Sequence, residues 1–192
     1  MATALLVIDC QMEFARRTAA GIPRSNLGAE AEIASTIALF RAKGLPVLHV
    51  HHDDPDPRSG FRLGAPGWAP MPCAVPIAGE PVFVKHGSPA FIGTRLEAHL
   101  HQTAVTRLVI IGAAVNYCVA SSVTMAANLG FEVLLPQDAV FGFGIAGPDG
   151  TTHSPETVLS VTLGTLADFA RLPSTDDLAA LLAKPEPAIG SS

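Results

Sequence analysis

RLVIIGAAVNYCVASSVTMAANLG, residues 107–130, is the stretch whose reading decides the fold. It opens on an unbroken apolar run, Leu108, Val109, Ile110 and Ile111, bounded by Gly112. A strand buried on both faces reads this way, and such strands belong to parallel sheets. Small residues follow, Ala113 and Ala114, then Asn116, Tyr117 and Cys118. Apolar and small residues then run to Gly130, which reads as the glycine just past a helix end. Asn116 is placed to cap that helix, because its side chain can accept an orphan N–H of the first turn. Cys118 then falls in the first turn, at the carboxyl edge of the sheet, where open α/β sheets bind ligands. Unpaired N–H groups and the helix dipole lower a thiol's pKa there, so more of it is nucleophilic thiolate. The same spacing also suits a buried cysteine that acts as a small hydrophobe.

The rest of the chain alternates in the same manner. A run from Ala4 to Ile8 ends in Asp9, with Gln11 and Phe14 in a short turn after it. Residues 16–25 read as loop. Residues 27–43 read as a helix, with Ile33, Ile37 and Phe40 at helical spacing. Strands follow at 46–50 and 81–84, the second ending in Lys85. Residues 94–101 are helical, with Thr94 as a cap. A fifth strand covers 131–135. Ser154, Pro155 and Glu156 open a helix running to about residue 170, since they supply a capping hydroxyl, a first-turn proline and an acid. Arg171 and Leu172 read as a short sixth strand, and 178–183 as a last helical turn or two. This is a three-layer, Rossmann-like α/β sandwich, with a mostly parallel six-stranded sheet and helices on both faces. One domain over 1–184 and a flexible tail over 185–192 are expected. Between them, residues 51–79 are rich in Pro and Gly and hold the only tryptophan, Trp68. A loop that long is usually functional, and it suits a wall or lid of a pocket. Equally, it suits a surface excursion packed around Trp68.

The totals narrow the function classes. The chain has 192 residues, 48% of them hydrophobic and 15% charged, with a net charge of -5. That suits one domain with a sizeable core and argues against disorder. No Lys/Arg cluster occurs, so nucleic acid and anionic membrane are poor partners, and no apolar run is long enough to span a bilayer. No signal peptide is read at the N-terminus. Cys10, Cys73 and Cys118 cannot all pair with one another, so the chain reads as reduced and cytoplasmic.

Asp9, Lys85 and Cys118 each follow a strand run directly, or follow the short turn after one. In a parallel sheet these ends open on one edge, so the three are expected to converge. The carboxylate can take the thiol proton, the ammonium can steady both anions, and the thiolate can attack a carbonyl. Taken singly, each has a plainer use: Asp9 as a turn cap, Lys85 as an ordinary surface lysine. A lysine after a buried strand, however, must find a partner or reach water.

These motifs resemble those of the isochorismatase-like cysteine hydrolases, over about residues 4–172. The segment from Leu5 through Phe14 is similar to that family's strand followed by D-x-Q-x-x-F. Lys85 with Ala90, Phe91, Gly93, Thr94 and Leu96 is similar to its K…A-F-x-G-T-x-L. Gly112 through Val119 is similar to its G-x-x-x-x-x-C-V. The resemblance implies a catalytic triad of Asp9, Lys85 and Cys118. It also implies a non-proline cis peptide before Ala114, with the Ala114 and Cys118 N–H groups forming an oxyanion hole. Val115 stands where the family often has Thr. Pro89 stands where it often has Ser or Thr, with Ser88 one residue earlier. Dimers and tetramers are common in the family, and a homodimer or homotetramer is expected here. A helix face carrying Ala126 and Leu129 points the same way, because it reads as exposed and in need of cover.

The expected activity is hydrolysis of a small amide, ureido or lactam C–N bond through a Cys118 thioester, without a cofactor. Gln11, Phe14, Trp68, Phe91, Asn116 and Tyr117 are the expected substrate-pocket residues for a small molecule. Vinyl-ether hydrolysis of isochorismate is the rival, but it needs no thiol. A non-catalytic protein on the same fold would be marked by a broken triad. Thiol redox chemistry would need a partner for Cys118, for which only Cys10 offers itself. His49, His51, His52 and Asp53 bring to mind the metal site of the related nicotinamidases. His49 and His51 share a strand face that His52 does not, and the family's D-x-H order is absent, so no metal is expected. Residues 142–147 spell G-x-G-x-x-G, but Pro148, Asp149 and Gly150 follow, where a dinucleotide site needs a helix.

Overall fold

The apolar runs become strands of a six-stranded sheet: β1 (Ala2–Ile8), β2 (Val47–His52), β3 (Val82–Lys85), β4 (Val105–Ala113), β5 (Glu132–Leu134) and β6 (Val140–Phe141). In this computed structural model, residues 2–183 are described. The tail expected at 185–192 lies outside them. The sheet order is β3-β2-β1-β4-β5, with β6 continuing alongside β4, and every strand pairing in it is parallel. Helices α1 (Met12–Ala19), α2 (Ala29–Ala42), α3 (Leu96–Gln102), α4 (Ala120–Asn128), α5 (Pro155–Leu166) and α6 (Thr175–Ala183) complete three layers.

Strand alternation sorts the core into two layers. Leu6, Ile8, Leu48, Val50, Leu108 and Ile110 face α3, α4 and α5, packing on Leu96, Leu100, Val123 and Leu166. Leu5, Val7, Val47, Val109 and Ile111 face α1, α2 and α6, packing on Phe14, Ile33, Phe40 and Leu178. The central strands β1 and β4 are covered on both sides, which is why both read as continuous apolar runs. Gly112, at φ +120°, is required where β4 passes β1, since a side chain there would run into the Ile8 carbonyl. Gly130, at φ +90°, ends α4 as read: its N–H reaches Ala127 O and that of Phe131 reaches Ala126 O.

Several expectations are corrected. The segment after Asp9 is not a turn and loop but α1, whose apolar side is so short that Phe14 is its only fully buried residue. The sixth strand is β6. Arg171 makes only an isolated parallel bridge to Leu134. Asn116 caps nothing: the backbone after β4 enters a π-helical turn, Val115–Val119, with Ala114 in the capping position and no side-chain cap. Ala126 is fully buried against the sheet rather than exposed, and Leu129 is half-buried. Residues 142–147 run into β7 (Ile145–Ala146), which pairs antiparallel with β8 (Thr152–His153) across the Pro148–Gly150 turn.

The long loop after β2 is laid along the segment following Asp9. Met12 N–H reaches Ala69 O, Glu13 N–H reaches Gly67 O, and Met71 N–H reaches Cys10 O. At its far end Arg41 forks Glu80 at 2.7 and 2.8 Å, and His49 Nε2 meets the same carboxylate at 2.9 Å. Burial alone would raise the Glu80 pKa, but Arg41, the Ile77 N–H and His49 hold it down to about 2. Among the described residues, no helix is long and apolar enough to cross a membrane.

Candidate active site

Three strand ends deliver Asp9, Lys85 and Cys118 to one place, although the sequence holds them far apart. Asp9 follows β1 at φ +46°, a left-handed conformation that aspartate tolerates better than most residues. Its N–H is fixed by Val50 O. Lys85 is the last residue of β3 and fully buried. Cys118 stands in the π-helical turn after β4. Lys85 Nζ lies 2.8 Å from Asp9 Oδ2 and 3.2 Å from Cys118 Sγ, and donates to Gly87 O at 3.1 Å. The other Asp9 oxygen, Oδ1, is buried with no hydrogen-bond partner of ordinary geometry, and the Cys118 thiol stands beside this carboxylate as a donor. Ser88 Oγ approaches the sulfur at 4.0 Å and hydrogen-bonds to Ser121 Oγ at 2.9 Å.

The electrostatics correct one expectation. Burial, then the Asp9 charge, push the Cys118 thiol up to about 11, although Lys85 pulls the other way. Burial raises the Asp9 carboxyl as well, again against Lys85. Both directions favour a thiol beside a basic carboxylate at rest, against the lowered thiol pKa expected from the sequence. The dipole of a single π-helical turn is too weak a counterweight, since such effects are worth at most about 1–2 kcal/mol. Ionising that thiol to bulk water before attack would cost about 5 kcal/mol at pH 7. A proton transfer that accompanies attack avoids most of this cost.

Asp9 and Cys118 open onto a cleft of about 520 Å³, in the range of small-molecule sites, while Lys85 stays fully buried behind them. Phe14, Phe61, Phe143 and Ile145 supply apolar wall, while Arg17, His52 and Asp54 supply polar groups. Of the expected pocket residues, Phe14, Asn116 and Tyr117 line the cleft, as do Ala114 and Cys118. The Ala113–Ala114 peptide is cis. Gln11, Trp68 and Phe91 do not line it. Gln11 is fully buried and bonded to backbone. Trp68 packs edge-on against His51 at 5.2 Å, on the opposite side of the sheet from Lys85. Phe91 is core, stacked on Phe131 at 6.2 Å. The long loop does form a wall, but through Asp54 and Phe61 rather than its tryptophan.

The sequence did not mark Phe61, Phe143 or Arg17 as cleft residues, and it raised His52 only as a metal ligand. His52 had a detectable signal, since it ends a strand as Lys85 does. The histidines near it diverge: His49 goes to Glu80, His51 to Trp68, and His52 to Lys85. No cluster of three His, Cys, Asp or Glu suited to a metal occurs among the described residues. Cys10 sits in the opposite core layer from Cys118, beside Cys73, so it does not face the site thiol.

Known proteins resemble this chain in sequence and fold. Residues 3–154 match the Isochorismatase domain family. The isochorismatase family protein YrdC of Bacillus subtilis is 33% identical over 176 residues, 91% of this chain and 93% of that protein. A streptothricin hydrolase of Streptomyces noursei is 31% identical over 158 residues, covering 82% of this chain and 56% of that enzyme. The crystal structure of an isochorismatase-family protein from Chromobacterium violaceum superposes with a TM-score of 0.89 at 36% identity, covering 94% of this chain and 93% of the other.

Proposed function

Because this chain belongs to the isochorismatase family of hydrolases, we propose that it hydrolyses a small amide, ureido or lactam C–N bond through a thioester on Cys118. The observation that carries this reading is the buried lysine between two reactive groups: Lys85 Nζ is 2.8 Å from the Asp9 carboxylate and 3.2 Å from the Cys118 sulfur. A hydrolase similar to this chain takes streptothricin as its named substrate, which favours the C–N class.

Asp9 takes the thiol proton as sulfur attacks the substrate carbonyl. The N–H groups of Ala114 and Cys118, both at the cleft, receive the developing oxyanion. Collapse breaks the C–N bond, and the proton held on Asp9 leaves with the amine. Water then loses a proton to Asp9 and attacks the thioester. The acid departs and the thiol is restored. Lys85 holds Asp9 in place and offsets negative charge on the sulfur during each attack. Apolar walls exclude water and favour a compact substrate.

The test is amine or ammonia release across a panel of small amides, lactams and ureido compounds, wild type against Cys118→Ala. Turnover lost in Cys118→Ala is the expected result. Turnover of any of them that survives Cys118→Ala, or turnover confined to vinyl ethers, overturns the reading.

A further inference from the structure

His52 meets the reactive centre in a way the triad does not use. In the parallel register of β2 and β3 it is the direct partner of Lys85, so both side chains leave the sheet on the same face. Its Nδ1 stands 3.4 Å from Lys85 Nζ. A hydrogen on Nδ1 would point at a cation, so that nitrogen is the acceptor and Nε2 carries the proton. The ring rests edge-on against Phe61, at 5.9 Å between centroids, and lines the cleft beside Asp9 and Cys118. Its Nε2 has no partner among the described residues and is not sealed from the cleft.

A second observation fixes its position. The fully buried Gln11 directs its amide onto the backbone of His52, with Oε1 accepting from His52 N–H at 2.8 Å and Nε2 donating to His52 O at 3.0 Å. Gln11 also donates to Trp68 O at 3.0 Å, which ties the long loop to the same point. A buried side chain amide with three bonds, two of them to one residue, ties that residue's backbone to one place.

We propose that His52 is a substrate-binding residue of this site, offering Nε2–H to a hydrogen-bond acceptor next to the reacting carbonyl of an amide-class substrate. The proposal rests on the hydrolase reading of the previous subsection for that substrate class. The charged groups facing the ring are Lys85 from β3, Asp9 from the end of β1, and Asp53 and Asp54 from the following loop. Burial and Lys85 hold the imidazole below the usual 6.5, against the three carboxylates, so it is neutral and keeps a free donor at pH 7.

Two measurements on the intact protein test this. The first is the nitrogen-15 NMR signature of His52 at pH 7 in the wild-type protein, which should be that of a neutral ring protonated on Nε2. The second compares alkylation of Cys118 at pH 9 by iodoacetamide, which carries an amide acceptor, with alkylation by methyl iodide, which does not. His52→Leu should lower the iodoacetamide-to-methyl iodide rate ratio about fivefold, the worth of one hydrogen bond. His52→Gln, which keeps a donor near the Nε2 position, should restore most of it. A ring protonated on Nδ1, an imidazolium at pH 7, or an unchanged ratio in His52→Leu overturns the proposal. Equal loss with both reagents does so too, because it marks a merely structural role. Should His52→Leu not fold, the wild-type spectrum and a His52→Gln ratio below one fifth of wild type remain decisive. These readouts use the resting thiol, so they stand apart from failure of the amide panel.

Discussion

Lys85 Nζ lies 3.2 Å from Cys118 Sγ, yet the thiol is pushed up to about 11. Proximity to a cation does not decide the matter, because the same ammonium is 2.8 Å from Asp9 and its charge is already largely answered. What is left around the sulfur is burial and the Asp9 carboxylate, both of which favour the neutral thiol. The arrangement fits a nucleophile ionised in step with attack rather than a stored thiolate.

Removing the lysine should therefore damage more than reactivity. Asp9 is almost fully buried, and Lys85 is its ion-pair partner. Breaking a buried pair from one side typically costs about 3–5 kcal/mol. Lys85→Met should lower unfolding free energy by that amount in urea titrations and reduce turnover at least a thousandfold. Lys85→Arg should not rescue turnover, because a planar fork does not fit among Asp9, Gly87 O, His52 and Cys118. Wild-type stability in Lys85→Met would show that the pair does not hold the site together.

His51 should set an acid limb of stability. It is buried, its Nδ1 lacks a partner, and burial lowers its pKa from 6.5 to about 4, with His49 adding to the shift. The folded state therefore resists a proton that the unfolded chain accepts. Stability is full above pH 6.5 and falls as pH drops toward 4, by up to about 3 kcal/mol from this residue. His49 is shifted in the same direction and Asp9 in the opposite one, so the difference from His51→Phe isolates the term. The unfolding free energy of wild type should fall relative to that of His51→Phe as pH drops from 6.5 to 4. Parallel curves would refute the assignment.

Gln11 should behave as a structural residue with a functional consequence. Gln11→Ala leaves His52 N–H, His52 O and Trp68 O without their partner in a buried setting. Each such loss costs about 1–3 kcal/mol, less where water enters the space. A total of about 2–4 kcal/mol is expected in chemical denaturation, with accelerated proteolysis of residues 53–80. Loss of turnover with unchanged stability would instead place Gln11 in contact with substrate.

The two core layers and the convergence of Asp9, Lys85 and Cys118 were legible because each depends on one local signal: an apolar run with a reactive residue at its end or just past the turn that follows it. Parallel topology then brings those ends to one edge. What failed were features fixed by tertiary context. Phe91 and Trp68 are large aromatics near motif residues, and nothing local says that Phe91 turns inward to Phe131 or Trp68 to His51. Asn116 has the composition of a cap, but the chain leaves β4 through a π-helical turn, which moves the capping position to Ala114. The cleft's aromatic wall needs Phe61 and Phe143, which come from loops about eighty residues apart. The sequence places His52 just past a strand, and the structure extends that strand to include it. Its role depended on the register with Lys85, which a sequence does not print.

Asp9→Asn should drive two readouts of Cys118 in opposite directions. The Asp9 charge is, after burial, the main influence holding the thiol up at about 11. Asparagine removes that charge while nearly keeping the shape, so Lys85 acts on the sulfur unopposed and the thiol pKa falls. Iodoacetamide should then alkylate Cys118 faster at pH 8 than in wild type, and the rate-against-pH curve should shift to lower pH. Turnover needs more than a thiolate: Asp9 must hand the proton to the departing amine and later take one from water. It should fall at least a thousandfold in the same variant, a typical loss for a group that is both base and acid. In wild type, turnover should decline on the acid side as Asp9 takes up a proton, at a pH above the usual 3.8 because burial raises its pKa. If alkylation and turnover fell together in Asp9→Asn, Asp9 would be the base that keeps Cys118 ionised at rest. The proton transfer would then precede attack rather than accompany it.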